Sequence, residues 1–185
     1  MMAGPRRWTP IDCEQIATCR VFDVHRLRTR SPRTGESHTF FQISAPEWVN
    51  IVPLTADDEV VMIRQFRQGA GEITLEVPGG MVDPGEAPAE AAARELLEET
   101  GYRGGEVLSL GSVNPNPALF ANRLHVFAAT GCERVAEIQN GTTEETHVEL
   151  VPRSRLPALV AEGAIDHALV VAALALFRLN RSEPE

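Results

Sequence analysis

The segment GGMVDPGEAPAEAAARELLEETGY, Gly79 to Tyr102, limits this chain more than any other part of it. The run before it, EITLEVPGG, alternates like a strand and stops at a Pro-Gly-Gly breaker. Ala, Leu and Glu then dominate, and all three favour helix. Pro88 suits a first helical turn, and Gly101 suits a left-handed residue just past the end. The segment therefore predicts strand, tight loop and helix. On that helix Glu95, Glu98 and Glu99 share about 100° of arc. Ala89, Ala93, Leu96 and Leu97 fall opposite and predict a small-residue buried face. Clustered acids repel one another, and near a helix C-terminus they also oppose the dipole. Either they form a solvated face with Arg94 offsetting Glu98, or they serve a cation.

The rest of the chain alternates short strands with turns. ATCRVFDVHRLRT and SHTFFQISA flank the turn-rich RSPRTGE and predict an N-terminal hairpin or small sheet. WVNIVPLT and DDEVVMIRQFR follow as strands joined at TADD. Beyond the helix come three more strand-like runs, GEVLSLGSV, NRLHVFAAT and THVELVP. The loops NPNPALFAN and EIQNGTTEE lie among them. LPALVAEG and DHALVVAALALFRL close the chain as helices. The expected class is α+β, a mixed sheet with few helices. The expected division is an N-terminal β region, 1–47, and a second domain, 48–185.

A length of 185 residues allows one domain with a sizeable core and a small appendage. With a net charge of −9 the chain offers no basic surface for nucleic acid. An anionic ligand would need local positive charge or metal cations. Three cysteines with no CxxC pair predict neither a disulfide framework nor a zinc site. The apolar run Ala168 to Phe177 is too short for a span of roughly 20 residues, so no membrane role is expected. The N-terminus lacks an apolar signal region, and reduced thiols fit a cytoplasmic protein.

The helix segment fits the pattern Gx5Ex7REUxEExGU, where U is a bulky apolar or aromatic residue. Gly80, Glu86, Arg94, Glu95, Leu96, Glu98, Glu99, Gly101 and Tyr102 fill its fixed positions. This resembles the Nudix hydrolase signature throughout. The resemblance implies an α/β/α sandwich with a mixed central sheet. It implies divalent metals, Mg²⁺ or Mn²⁺, held by Glu95, Glu98, Glu99 and the Gly79 carbonyl, a donor set suited to hard cations. Arg94 and Glu86 would orient helix and loop by ion pairing.

Three further features resemble the group of Nudix enzymes that cleave ADP-ribose and other nucleoside diphosphate sugars. Pro117 falls in the loop beyond Tyr102 at the spacing of that group. VVMIRQFRQGAGEITLEVPGG resembles its strand-loop-strand, which implies that Arg67 contacts the diphosphate and that Glu76 touches the metal or ribose region. The region before Ile51 resembles a β region that swaps between subunits in that group, which implies a homodimer. Aromatics stack on the base there; Phe22, Phe40, Phe41 and Trp48 are the candidates, with Trp48 favoured. The NPNPALFANR loop looks more like nucleotide-sugar hydrolases than strict ADP-ribose enzymes. The resemblance implies a loop glutamate as catalytic base. NGTTEETHVELVP is the matching segment, with Glu144 first, Glu145 second and His147 a weaker candidate. The expected reaction is Mg²⁺-dependent hydrolysis of a nucleoside diphosphate sugar to nucleoside monophosphate and sugar phosphate. The alternatives are (d)NTP pyrophosphohydrolysis, or nucleotide binding without catalysis.

Overall fold

The structure is a computed structural model that describes residues 4–180. The chain forms two compact units. The first runs to Pro46 and takes in Asn114–Asn122, and the second holds Glu47–Val113 and the chain from Arg123 on.

The first unit is a three-stranded antiparallel sheet of β1 (Thr9–Thr18), β2 (Asp23–Arg30) and β3 (Ser37–Ser44), in that order. The sequence reading ran one strand from Ala17 to Thr29. Instead a turn closed by Cys19 N–H to the Phe22 carbonyl, 2.8 Å, divides β1 from β2. β1 is solvent-exposed along its whole length and tolerates Pro10, as an edge strand can. NPNPALFAN is a loop within the second half of the sequence, yet its backbone is tied to β3. Ile43 N–H donates to the Leu119 carbonyl at 2.8 Å, and Ala121 N–H donates to the Ile43 carbonyl at 2.9 Å.

The second unit begins with β4 (Trp48–Leu54), β5 (Glu59–Arg67), β6 (Glu72–Glu76) and β7 (Gly79–Met81). Then come α1 (Pro88–Thr100), β8 (Tyr102–Arg103), β9 (Val107–Val113), β10 (Leu124–Thr130), β11 (Glu133–Arg134) and β12 (Thr146–Pro152). A 3₁₀ turn, Arg153–Arg155, leads into α2 (Leu156–Ala161), and α3 (Ala168–Asn180) follows. The main sheet has the order β12-β5-β4-β10-β9, with β6 on β5 and β7 on β4. β4 and β10 run parallel and the other pairs antiparallel, so the sheet is mixed.

The two sheet faces carry separate cores. Val49, Ile51, Val61 and Phe127 pack with Ala91, Ala92 and Leu96 of α1. Val52, Val60, Met62 and Val126 pack with Leu156, Val170, Ala173 and Phe177 from the α2–α3 side. Alternate residues of β4 and β5 serve opposite cores, as the strand period of two requires. The result is the α/β/α sandwich that the resemblance implied, and its central strands β4, β5 and β10 give apolar residues to both cores.

The buried face of α1 differs from the expected one. Ala91, Ala92, Leu96, Glu99 and Thr100 are buried, whereas Ala93 is exposed. Helical spacing alone put Glu99 with the outer acids. Packing on β4 and β7 turns the helix so that Glu99 points inward, where a backbone donor meets it. The ends of α1 follow the sequence signals. Pro88 opens it, and the Glu90 carboxylate accepts the Ala87 N–H at 3.1 Å. Gly101 closes it at φ 73°, its N–H donating to the Leu97 carbonyl at 2.8 Å.

Candidate functional site

Helix α1 presents the acids, and Arg94 organises the outer ones. Arg94 Nε and Nη2 donate to the two oxygens of Glu86 at 2.9 and 3.0 Å. Its Nη1 donates to Glu95 Oε1 at 2.9 Å and Glu98 Oε2 at 3.2 Å. Its Nη2 also reaches the Met81 carbonyl at 3.1 Å. One guanidinium therefore ties the loop after β7 to the helix. The bonds from Arg94 hold the Glu86 carboxyl below its usual range.

Glu99 is 3% exposed. Its Oε2 accepts the Gly79 N–H at 2.9 Å. Burial pushes its carboxyl up to about 8, with the charges of Glu95 and Glu144 adding and Gly79 and Arg67 opposing. Burial also raises Glu95, against the pull of Arg94. The glycines of β7 leave space for their neighbours, fixed backbone at Gly79 and a flexible carboxylate at Gly80. A Cβ on Gly79 would lie 2.2 Å from the Val49 carbonyl oxygen, and one on Gly80 would lie 2.2 Å from Glu95 Oε1.

Strands β5 and β6 supply the second part of the site. Arg67 makes a two-pronged bond to Glu76, Nε to Oε1 and Nη2 to Oε2, each 2.7 Å. Thr74 Oγ1 adds a bond to Glu76 Oε1 at 2.6 Å. Burial alone would raise the Glu76 carboxyl, but Arg67 and Thr74 outweigh it and the net shift is downward. Arg67 in turn is held up by Glu76, against its own burial, with smaller help from Glu99 and Glu144.

The loop before β12 supplies the third part. Gly141 and Glu144 form a turn, Glu144 N–H to the Gly141 carbonyl at 3.2 Å. The Glu144 charge acts on Glu95, Glu99 and Arg67. Glu144 and Glu145 are both exposed, and Glu144 is the one whose charge is among the main influences on the three. Helix, strand and loop thus bring Glu95, Glu99, Arg67, Glu76 and Glu144 into one electrostatic neighbourhood.

The other expected residues are on other elements. Trp48 packs on the α2–α3 side of the sheet, whereas its neighbour Val49 packs under α1. Phe41, 54% exposed, and Pro117 belong to the first unit. His147 is the register partner of Arg64, on the face opposite Thr146 and Gln65. A cavity of about 640 Å³ bordered by Arg153, Leu156, Val160, Leu174 and Phe177 includes none of the site residues.

Sequence reading missed Gln65, Thr74, Asn140 and Thr146. Gln65 is 6% exposed, stands opposite Thr74 and Thr146, and has no donor for its buried Oε1 among the described residues. Its signal was strand period: it shares a face with Arg67 two residues on. Thr74 carried the same signal, two residues before Glu76.

The donor chemistry fits a hard divalent cation. Carboxylates crowd a buried face, and the burial and lesser mutual repulsion that raise Glu95 and Glu99 are what a cation would offset. The described acids are not drawn together as a ready ligand cluster. Glu95 and Glu98 lean on Arg94, and Glu99 on the Gly79 N–H. A cation would therefore compete with Arg94 for Glu95 and Glu98.

The site thus combines an acid-bearing helix, a mixed sheet and an Arg–Glu pair. Residues 46–174 match the family model of the NUDIX domain. The chain belongs to the Nudix family. It is 28% identical over 138 residues to an ADP-ribose pyrophosphatase of Bacillus subtilis (strain 168), covering 75% of this chain and 74% of that protein. It is 27% identical over 176 residues to the ADP compounds hydrolase NudE of Escherichia coli (strain K12), covering 92% and 91%. The crystal structure of an ADP compounds hydrolase superposes with a TM-score of 0.84 at 26% identity, over 96% of this chain and 95% of that one.

Proposed function

We propose that this protein hydrolyses the diphosphate bond of ADP-ribose or a related nucleoside diphosphate sugar, giving a nucleoside monophosphate and a sugar phosphate. The observation that carries the reading is the meeting of three elements. Arg67 and Glu144, from a strand and a loop, both act on Glu99 of the helix. The names of the relatives, an ADP-ribose pyrophosphatase and ADP compounds hydrolases, point to the same substrate class.

Arg67 binds a phosphate oxygen through its forked N–H groups and hands part of its charge over from Glu76. Glu144 accepts a proton from water as the water oxygen attacks one phosphorus. The bond from that phosphorus to the bridging oxygen breaks, and the bridging oxygen leaves with the other phosphate. Arg94 keeps helix and loop in register. Mg²⁺, or Mn²⁺, held by Glu95, Glu98, Glu99 and the Gly79 carbonyl would supply Lewis acidity and offset the diphosphate charge.

The substrate side completes the reading. The resemblance gives base and sugar recognition to Phe41 and Pro117 in the first unit and to Trp48 in the second, and the first unit serves a homodimer. In that unit Trp8 and Phe40, 43% and 45% exposed, pack edge to face with ring centroids 5.4 Å apart on one side of β3, and Phe41, 54% exposed, lies on the other side; these exposed aromatics support a covering partner chain. No helix among the described residues is long and apolar enough to cross a membrane. A cytoplasmic protein without nucleic-acid partners is consistent with the acidic charge.

The test is product chromatography with Mg²⁺ and a panel of ADP-ribose, GDP-mannose, UDP-glucose, ADP-glucose, diadenosine polyphosphate and dNTPs. A nucleoside monophosphate plus sugar phosphate is the expected outcome. Pyrophosphate from dNTPs, or no product from any substrate, overturns the reading.

A further inference from the structure

The loop that carries Glu144 is also the cap of the helix that carries the acids. The last carbonyls of a helix have no partners within it. In α1 these acceptors are filled from the segment that leads into β12. Gln139 N–H donates to the Glu98 carbonyl at 2.8 Å. Thr146 Oγ1 lies 2.7 Å from the Glu99 carbonyl oxygen. Val135 and Ala136 N–H groups donate to the Gly101 carbonyl at 2.9 and 3.1 Å. Gln139 and Thr146 bracket Glu144, so the base-bearing loop is fastened on both sides to the final turn of α1.

Thr146 is 8% exposed, and its hydroxyl has a second neighbour, Asn140 Oδ1 at 2.9 Å. A hydroxyl has one proton to give, and the Glu99 carbonyl can only accept. The arrangement is satisfied when the Asn140 amide is turned so that its NH₂ donates to Thr146 Oγ1. The result is a directed chain: Asn140 amide to Thr146 hydroxyl to Glu99 carbonyl. It fixes the loop to the main chain of the residue whose side chain lies at the centre of the site.

We propose that Thr146, supported by Asn140, is a positioning residue for Glu144: its hydroxyl pins the loop to the end of α1 and so sets where Glu144 stands over Glu95 and Glu99. This rests on the function proposed above. A hydroxyl serving only as a helix cap would change stability and leave the chemical step alone. A positioning hydroxyl changes the chemical step more than substrate binding.

Thr146→Val keeps the shape and β-branching and removes the bond. With ADP-ribose and Mg²⁺, kcat should fall at least about tenfold while KM stays within about twofold. Thr146→Ser should return kcat to within about threefold. Asn140→Ala, on a less buried residue, should act in the same direction and more weakly. Glu144→Gln should cost several-fold less in the Thr146→Val background than in the wild type, because the two act as a unit. Hydrogen exchange across residues 137–145 should quicken about tenfold in Thr146→Val. A Val variant with kcat within threefold of wild type, or equal Glu144→Gln losses in both backgrounds, overturns the proposal. If the wild type cleaves none of the diphosphates, the functional reading fails on its own. Exchange then decides the clamp, and an unchanged rate overturns it.

Discussion

Replacing Glu99 with Gln should stabilise the metal-free protein at alkaline pH while removing its activity. The Glu99 carboxyl is 3% exposed and is raised from its usual value near 4.5 to about 8 by burial. At about 1.4 kcal/mol per pK unit, that rise corresponds to about 4–5 kcal/mol between the two protonation states. The sign follows from proton binding. Below about pH 4.5 the folded and unfolded chains both hold the proton, and the favourable contribution is fully present. Between about pH 4.5 and 8 the folded chain keeps a proton that the unfolded chain has lost, so stability falls as pH rises. Above about 8 the loss is complete. Gln carries no such titration, and its amide oxygen can still accept the Gly79 N–H. That neutral bond is weaker than the charge-assisted one by about 1 kcal/mol. Urea unfolding in EDTA at pH 5.5 and 8.5 measures the difference. The wild type should lose about 3 kcal/mol more than Glu99→Gln across that interval. Parallel behaviour of the two proteins, within about 0.5 kcal/mol, would refute the account of Glu99 as a desolvated acid. With Mg²⁺ and ADP-ribose the same variant should lose at least about a hundredfold in kcat/KM. Near-normal turnover would refute the metal role.

Arg67→Ala leaves Glu76 buried without its main partner. It should cost about 2 kcal/mol in urea unfolding, discounted for the 40% exposure of the Arg67 side chain, and raise KM. A variant of unchanged stability would show that the pair does not matter to the fold. Gly80→Ala would place a Cβ 2.2 Å from Glu95 Oε1 and force that flexible carboxylate off its seat. Calorimetric Mg²⁺ affinity and activity should both fall about tenfold or more, with little loss of Tm. Glu144→Gln should lower kcat by about a hundredfold or more and Glu145→Gln by less than about threefold. Equal effects at the two positions would reassign the base.

Local chemistry made much of this protein readable in one dimension. The limits of α1 rest on Pro88 and Gly101, whose backbone preferences act at their own positions whatever surrounds them. The acid pattern is likewise a local matter, because three glutamates at helical spacing must share one side of a helix. Apolar runs between turn signals announced β4, β5 and β10, whereas the two covering layers came from the family resemblance and are formed by α1 on one face and α2 and α3 on the other.

What surrounds a residue had to come from the fold. The sequence left Glu99 beside Glu95 on an outer face, and only the docking of α1 on β4 and β7 put it indoors against the Gly79 N–H. β1 escaped notice because an exposed edge strand has no buried face to impose alternation. Gln65, Thr74 and Thr146 are ordinary residues in sequence. They become a row of polar groups on one sheet face only when β6 and the distant β12 pair with β5 in register. Thr146 matters because its hydroxyl reaches a carbonyl 47 residues earlier in the chain. Propensity and periodicity act over a few residues and can be read from order alone. Burial, strand register and long-range hydrogen bonds depend on which segments meet, and that is decided only when the two cores close on the sheet.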